Sequence, residues 1–268
     1  MIRQSSCSGI TIPSAANHSS QYNARERRWI YERRYGLERH GTSLKGYELH
    51  QPIRGRFHFN RAELWADGLV HGLGIMLGIG AVAFLIARVV AADPMPGLIP
   101  VVIYSCALMA VLLISAVYNM WPVSPMKWLI RRFDHSAIYV LIAGTYTPFL
   151  ARMGEGAVAH ILLAAVWIAS AAGVLLKVAL PGRYDRLSIA LYLLIGWSGV
   201  FAWESVAQLP GMALWLIVTG GLLYTLGVVF HVWHALPFQN AIWHSFVLAA
   251  SGCFYGAIFQ AYAVSAST

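Results

Sequence analysis

The sequence predicts an all-α fold: a polytopic membrane protein of seven transmembrane helices behind a basic, disordered N-terminal tail. Three observations carry that reading. The chain of 268 residues is 58% hydrophobic and only 11% charged, far from the balance of a soluble domain. Its charge is unevenly placed, with 11 of the 19 Lys and Arg lying before residue 62. The remainder divides into apolar runs, each close to the ~20 residues that cross a bilayer core. Backbone groups in lipid must be paired within the segment, so these runs are expected to be helices.

Residues 1–60 form the first unit. They mix Ser, Asn, Arg, Tyr and Glu without a lasting period, and such a composition favours a solvated, disordered tail. The stretch RERRWIYERRYGLERH could instead form a basic amphipathic helix on anionic lipid headgroups. The first residues lack an apolar h-region, so no cleavable signal peptide is expected. No nucleic-acid reading motif accompanies the charge, so no nucleic-acid partner is expected.

Residues 61–268 form the membrane domain. The apolar runs fall near 65–88, 97–121, 135–152, 157–179, 187–207, 211–233 and 241–264, the third being the shortest. Orientation follows from the cations. With seven spans, the basic tail shares a side with the loop carrying Lys127, Arg131 and Arg132 and with the loop carrying Lys177, Arg183 and Arg186. The opposite loops hold only Arg88 and Arg152 with Asp93 and Glu155. This places the N-terminus in the cytoplasm and the C-terminus outside. Trp121, Trp128, Trp203 and Trp243 fall near predicted helix ends, as interface anchors do. Gly72, Gly74, Gly78 and Gly80 in the first helix permit close helix packing. Cys7, Cys106 and Cys253 are far apart and form no CxxC pair, so buried thiols rather than a disulfide or zinc knuckle are expected.

Ionisable groups inside spans are costly and mark function by default. Asn60 and Glu63 read as an N-cap with its capping-box partner. Glu63, Asp67 and His71 recur every four residues and share one helical face. Ser115 and Asn119 share a face at the end of the second helix. Ser115 could simply bond back to a helix carbonyl, and Asn119 could cap the terminus. Asp134 opens the third run and reads equally as its N-cap. Asn240 and His244 lie one turn apart at the start of the seventh helix. His231 and His234 form an HxxH pair that ends the sixth, where a solvated or headgroup contact is the plainer reading than a metal. Taken together, four helices bring polar groups to a similar depth on the cytoplasmic side, which predicts a shared polar pocket.

The stretches RRFDHSAIYVLIAGTYTPF and AIWHSFVLAAS resemble the hemolysin III family, the bacterial branch of the progestin and adipoQ receptor (adiponectin receptor-like) family. The resemblance covers about residues 61–268, and the Glu63…His71 pattern fits the family's first motif with Asp67 where Asn is common. It implies a bacterial inner-membrane protein with an intramembrane zinc site. One zinc ligand comes from a Ser-x-x-x-His motif on helix 2 and two from His-x-x-x-His on helix 7. Carried over, Ser115 and Asp134 match the family's further site residues and His244 matches the second helix 7 ligand. Asn119 and Asn240 stand at the other two ligand positions.

Asn is a poor replacement for imidazole at a zinc site. The first expectation is therefore a degenerate zinc site: a metal-free polar pocket for membrane lipids, built by Glu63, Asp67, His71, Asn119 and Asn240 and serving lipid sensing or membrane homeostasis. The alternative is a zinc-dependent intramembrane hydrolase of a lipid amide, ceramidase-like. There Ser115 and Asp134 are the catalytic pair, with His244 on the metal. A pore-forming cytolysin is the least favoured, because the spans carry few charges to line a water-filled path.

Overall fold

The computed structural model describes residues 60–92, 97–152, 156–180 and 184–264. The expectations for the tail before Asn60 lie outside the described residues. Among the described residues every regular element is helical. The helices are α1 (Arg61–Ala92), α2 (Leu98–Met120), α3 (Pro125–Arg152), α4 (Ala157–Ala179), α5 (Asp185–Trp197), α6 (Gly211–Val232) and α7 (Gln239–Phe259). A 3-10 turn (Ser198–Ala202) and one helical turn (Trp203–Val206) continue α5, and a π turn (Gln260–Val264) continues α7. A helix is present at each of the seven expected positions.

Six of these segments are long and apolar enough to cross a membrane; α3 is not. Burial is distributed for an apolar solvent. Trp65, Leu69, Ile99, Ile161, Ile168 and Trp215 are well exposed, while Ser105, Ser170, Ser188 and Ser251 are buried. Lipid offers no drive to hide large apolar side chains, so small and polar residues take the helix interfaces instead.

Consecutive helices pack as neighbours and α7 returns to α1, which closes the helices into a ring. Within it α3 also touches α5 and α7. Close approach needs small residues at two points on this helix. A Cβ on Gly144 would lie 2.7 Å from the Ala107 Cβ of α2. One on Gly173 of α4 would lie 2.3 Å from the Tyr139 ring of α3. In α1 the expected glycine packing is partial: Gly78 faces Leu112 and Met109 closely, while Gly72 and Gly80 face open space.

α3 departs most from the sequence reading. It begins at Pro125, so Asp134 is a mid-helix residue and not an N-cap. The nine residues before Asp134 hold three cations, which made them read as a loop. They nonetheless form inverted helix. Met126, Leu129 and Phe133 face outward, while Lys127 and Asp134 are buried. The cations pair with protein groups instead of entering water. Arg131 and Lys177 each reach an Asp185 carboxylate oxygen at 2.7 Å, and Arg132 donates to the Val178 carbonyl at 3.4 Å. Lys127, Arg131, Arg132 and Lys177 thus belong to helices.

α5 was read as one continuous span, and it breaks at Trp197. The Tyr146 hydroxyl of α3 accepts the Gly199 N–H at 2.7 Å and donates to the Gly196 carbonyl at 2.7 Å. The Ser198 hydroxyl donates to the Ile195 carbonyl at 2.7 Å. A neighbouring helix thereby satisfies groups that an interrupted helix would leave bare in lipid. The cysteines also differ from expectation: Cys106 is exposed and Cys253 only half-buried, and both are free thiols.

Candidate functional site

The site forms at the end of the bundle where α1 and α7 begin and α2 ends. The start of α1 is fixed locally. The Ala62 N–H donates to Asn60 Oδ1 at 2.6 Å, and the Asn60 N–H donates to Glu63 Oε2 at 2.9 Å. This is the expected capping box, and it sets the face on which Asp67 and His71 follow. The second carboxylate oxygen of Glu63 accepts the Phe238 N–H at 3.1 Å. Phe238 has φ 57, a left-handed conformation that a bulky residue rarely adopts. Glu63 therefore joins the start of α1 to the turn that starts α7. Its side chain serves this junction and not the pocket interior where the sequence reading placed it.

One and two turns further along α1, Asp67 and His71 enter the bundle, and both are buried. His71 Nδ1 donates to the Asp67 backbone carbonyl at 2.8 Å. A carbonyl only accepts, so Nδ1 carries the hydrogen and Nε2 of a neutral ring holds the lone pair. Nε2 lies 3.3 Å from the Ser115 hydroxyl of α2. Asn119 Nδ2 donates to the Ser115 carbonyl at 2.9 Å and to its hydroxyl at 3.3 Å. The Asp134 carboxyl of α3 approaches the same hydroxyl and also faces His244. His244 of α7 closes the cluster: its Nδ1 lies 2.6 Å from Asp67 Oδ1, and its ring centre lies 4.3 Å from that of His71.

Four helices thus converge. Asp67, His71, Ser115, Asn119, Asp134 and His244 meet. The plain reading of Asn119 matches its bond to a carbonyl of its own helix, while the Ser115 hydroxyl faces His71 of α1. Asn240 does not join by a hydrogen bond among the described residues; it is half-buried one turn before His244. His231 and His234 stay apart from the site. His231 packs on Trp243 with ring centres 4.8 Å apart, and His234 is exposed beyond the end of α6.

The protons of this cluster do not divide evenly. Ser115 has one hydroxyl proton and two acceptors for it, His71 Nε2 and the Asp134 carboxylate. Two fixed cations lie beside the cluster and make hydrogen bonds of their own. The buried Lys127 ammonium donates to the Asn119 and Trp121 carbonyls at 3.2 and 2.8 Å, and Arg131 is held by Asp185. Sequence reading missed this role of Lys127. A cation a few residues beyond the last turn of α2 was the available signal, because helix C-terminal carbonyls attract one.

The family ligand positions do not fit zinc here. Of Asn119, Asn240 and His244, only His244 offers an imidazole, and the Asn119 amide nitrogen is committed to Ser115. A different set does fit a cation. Asp67, His71 and His244 each offer one ligand atom, all within 4.8 Å of one another.

Comparison with known proteins gives a consistent result. The profile of the family described as Haemolysin-III related matches residues 59–255. The chain is 35% identical over 198 residues to the Hemolysin-3 homolog of Bacillus subtilis, covering 74% of this chain and 93% of that one. It is 33% identical over 191 residues to Hemolysin-3 of Bacillus cereus, covering 71% and 87%. It is 30% identical over 164 residues to the human Monocyte to macrophage differentiation factor, covering 59% and 68%. No solved structure gives a significant match.

Proposed function

The chain belongs to the Haemolysin-III related family, and from that premise we propose that it binds the polar end of a membrane lipid in the Asp67–His71–Ser115–Asp134–His244 cluster, as a sensor in membrane homeostasis. One observation carries the reading. Polar groups from four helices meet at a single point in a bundle that turns many large apolar side chains outward, where an intramembrane ionisable group is expensive unless it is used. The setting is the bacterial inner membrane with the site in the cytoplasmic leaflet. Lys127, Arg131, Arg132, Lys177 and Arg186 at the site end of the bundle support that orientation.

The test is the lipid complement that stays with the purified protein. Mass spectrometry on chain in native-lipid discs is expected to find one enriched lipid class. Ser115→Ala and Asp134→Asn should reduce that enrichment at least threefold. An unenriched, bulk-like complement in the unsubstituted chain would sink the reading.

A second reading, hydrolysis of a lipid amide, draws on one contact: the Ser115 hydroxyl between His71 Nε2 and the Asp134 carboxyl. Asp134 would orient or deprotonate water, and Ser115 would contact the substrate carbonyl. Turnover of an amide-linked lipid that Asp134→Asn abolishes would favour it over sensing. Pore formation has no such contact in its favour; leakage of liposomes caused by this chain and not by an unrelated seven-helix protein is the result that would restore it.

A further inference from the structure

We propose that Asp67, His71 and His244 bind one divalent transition-metal ion, a ligand set displaced from the positions the family resemblance implies. The inference rests on the proposed function only in taking the cluster as a working site. Whether a lipid binds there is a separate question.

Three observations carry it. The first is the donor set. Two imidazoles and one carboxylate are a recurrent set for zinc in hydrolytic sites and for ferrous iron. Asp67 and His71 both come from α1, four residues apart on one face, and His244 faces them from α7. At zinc–ligand distances of about 2.0–2.2 Å, tetrahedral ligand atoms lie roughly 3.4 Å apart. One ring nitrogen of each histidine and an Asp67 oxygen already lie within 4.8 Å of one another, with Asp67 Oδ1 2.6 Å from His244 Nδ1 and 3.5 Å from His71 Nδ1. The proton now shared between His244 Nδ1 and Asp67 Oδ1 at 2.6 Å is the one that a cation would displace.

The second observation is orientation. The His71 Nδ1–H is held by the Asp67 carbonyl at 2.8 Å. Metal-ligating histidines characteristically donate their other ring N–H in this way, which fixes the ring and presents the free nitrogen. Here that nitrogen is Nε2, 3.3 Å from the Ser115 hydroxyl, and loading the site requires the His71 ring to turn it toward Asp67 and His244.

The third is the contested proton. Ser115 cannot donate its one hydroxyl hydrogen to both His71 Nε2 and Asp134. A cation on the Nε2 lone pair removes one claimant and releases the hydroxyl to Asp134. The same cation offsets the charge of two buried carboxylates, Asp67 and Asp134. Buried charges are normally paired or bound to metal.

The test uses the full chain in detergent, stripped with chelator and reloaded with zinc alone, cobalt(II) alone, or ferrous iron alone without oxygen. Elemental analysis is expected to find about one ion per chain for at least one of them. Cobalt should add visible absorption bands of a low-symmetry nitrogen–oxygen site. Asp67→Asn and His71→Gln should each weaken metal affinity at least tenfold, although neither residue is a ligand in the family's set. In the Asp67→Asn background, adding Asn119→His with Asn240→His should restore binding.

A stripped chain that takes up no ion overturns the proposal. So does unchanged affinity in both Asp67→Asn and His71→Gln, judged on protein that remains monodisperse. If either variant fails to fold, the other and the cobalt spectrum of the unsubstituted chain decide it. Lipid enrichment measured on metal-stripped protein reports separately on the lipid-binding reading.

Discussion

At one end of the bundle α3 contributes to two polar clusters built on opposite terms. On one side, Arg131 and Lys177 converge on Asp185 with both contacts at 2.7 Å. On the other, His71, Ser115, Asp134 and His244 gather around Asp67. The first cluster is two fixed cations sharing one carboxylate across α3, α4 and α5, and it acts as a staple. The second holds carboxylates, imidazoles and one hydroxyl, that of Ser115, within reach of both His71 and Asp134. Fixed charges in contact join helices; a cluster of hydroxyl, imidazole and carboxyl groups can trade its internal hydrogen bonds for those of a ligand.

The largest effect should come from breaking the staple. Asp185→Ala leaves the nearly buried Lys177 facing Arg131 without their shared anion. Removing one partner of a buried pair costs about 3–5 kcal/mol. Asp185 is 37% exposed, so a loss of about 2–3 kcal/mol is expected after solvent screening. Thermal unfolding in detergent measures it, and lipid enrichment per folded molecule should not change.

A smaller effect is expected from the other side. His244→Ala removes the 2.6 Å contact and leaves a buried acceptor on Asp67, costing about 2 kcal/mol. Lipid enrichment should fall together with the melting temperature. A variant that melts early yet keeps its lipid would show that the two clusters share a purely structural role.

Ser115→Ala is milder. It removes the contested proton, and it should cost about 1 kcal/mol or less. If the hydroxyl contacts the lipid, the loss of lipid enrichment should exceed what that stability change explains.

The smallest expected effect is that of salt. At about 1 M ionic strength the screening length falls to roughly 3 Å. The half-exposed Asp185 pairs should weaken by a few tenths of a kcal/mol, seen as a small fall in melting temperature that Asp185→Ala abolishes. The buried cluster around Asp67 should be insensitive to the same change.

The seven spans were legible because apolar runs of bilayer length permit little else. The start of α3 was not. Lys127, Arg131 and Arg132 weigh against a helix in any hydropathy reading, and only their distant partners show why the helix tolerates them. The break in α5 was hidden for the same reason: the hydroxyl that satisfies it, on Tyr146, comes from another helix. Within the site, the four-residue spacing of Asp67 with His71 and of Ser115 with Asn119 fixed two faces in advance. The meeting of Asp67 with His244, 177 residues apart, could not be read from spacing. The resemblance directed attention to Asn119 and Asn240 and away from Asp67, whose carboxylate meets His244.

The closure of the ring has a consequence for biosynthesis. Helices enter a membrane in chain order, so α1 waits for its last neighbour until α7 has been made. The Glu63 carboxylate and the Asp67–His244 contact both lie across that seam. An unfinished or truncated chain can bury much of its helical surface and still hold only half of each contact. Both contacts therefore form only once the final helix is in place.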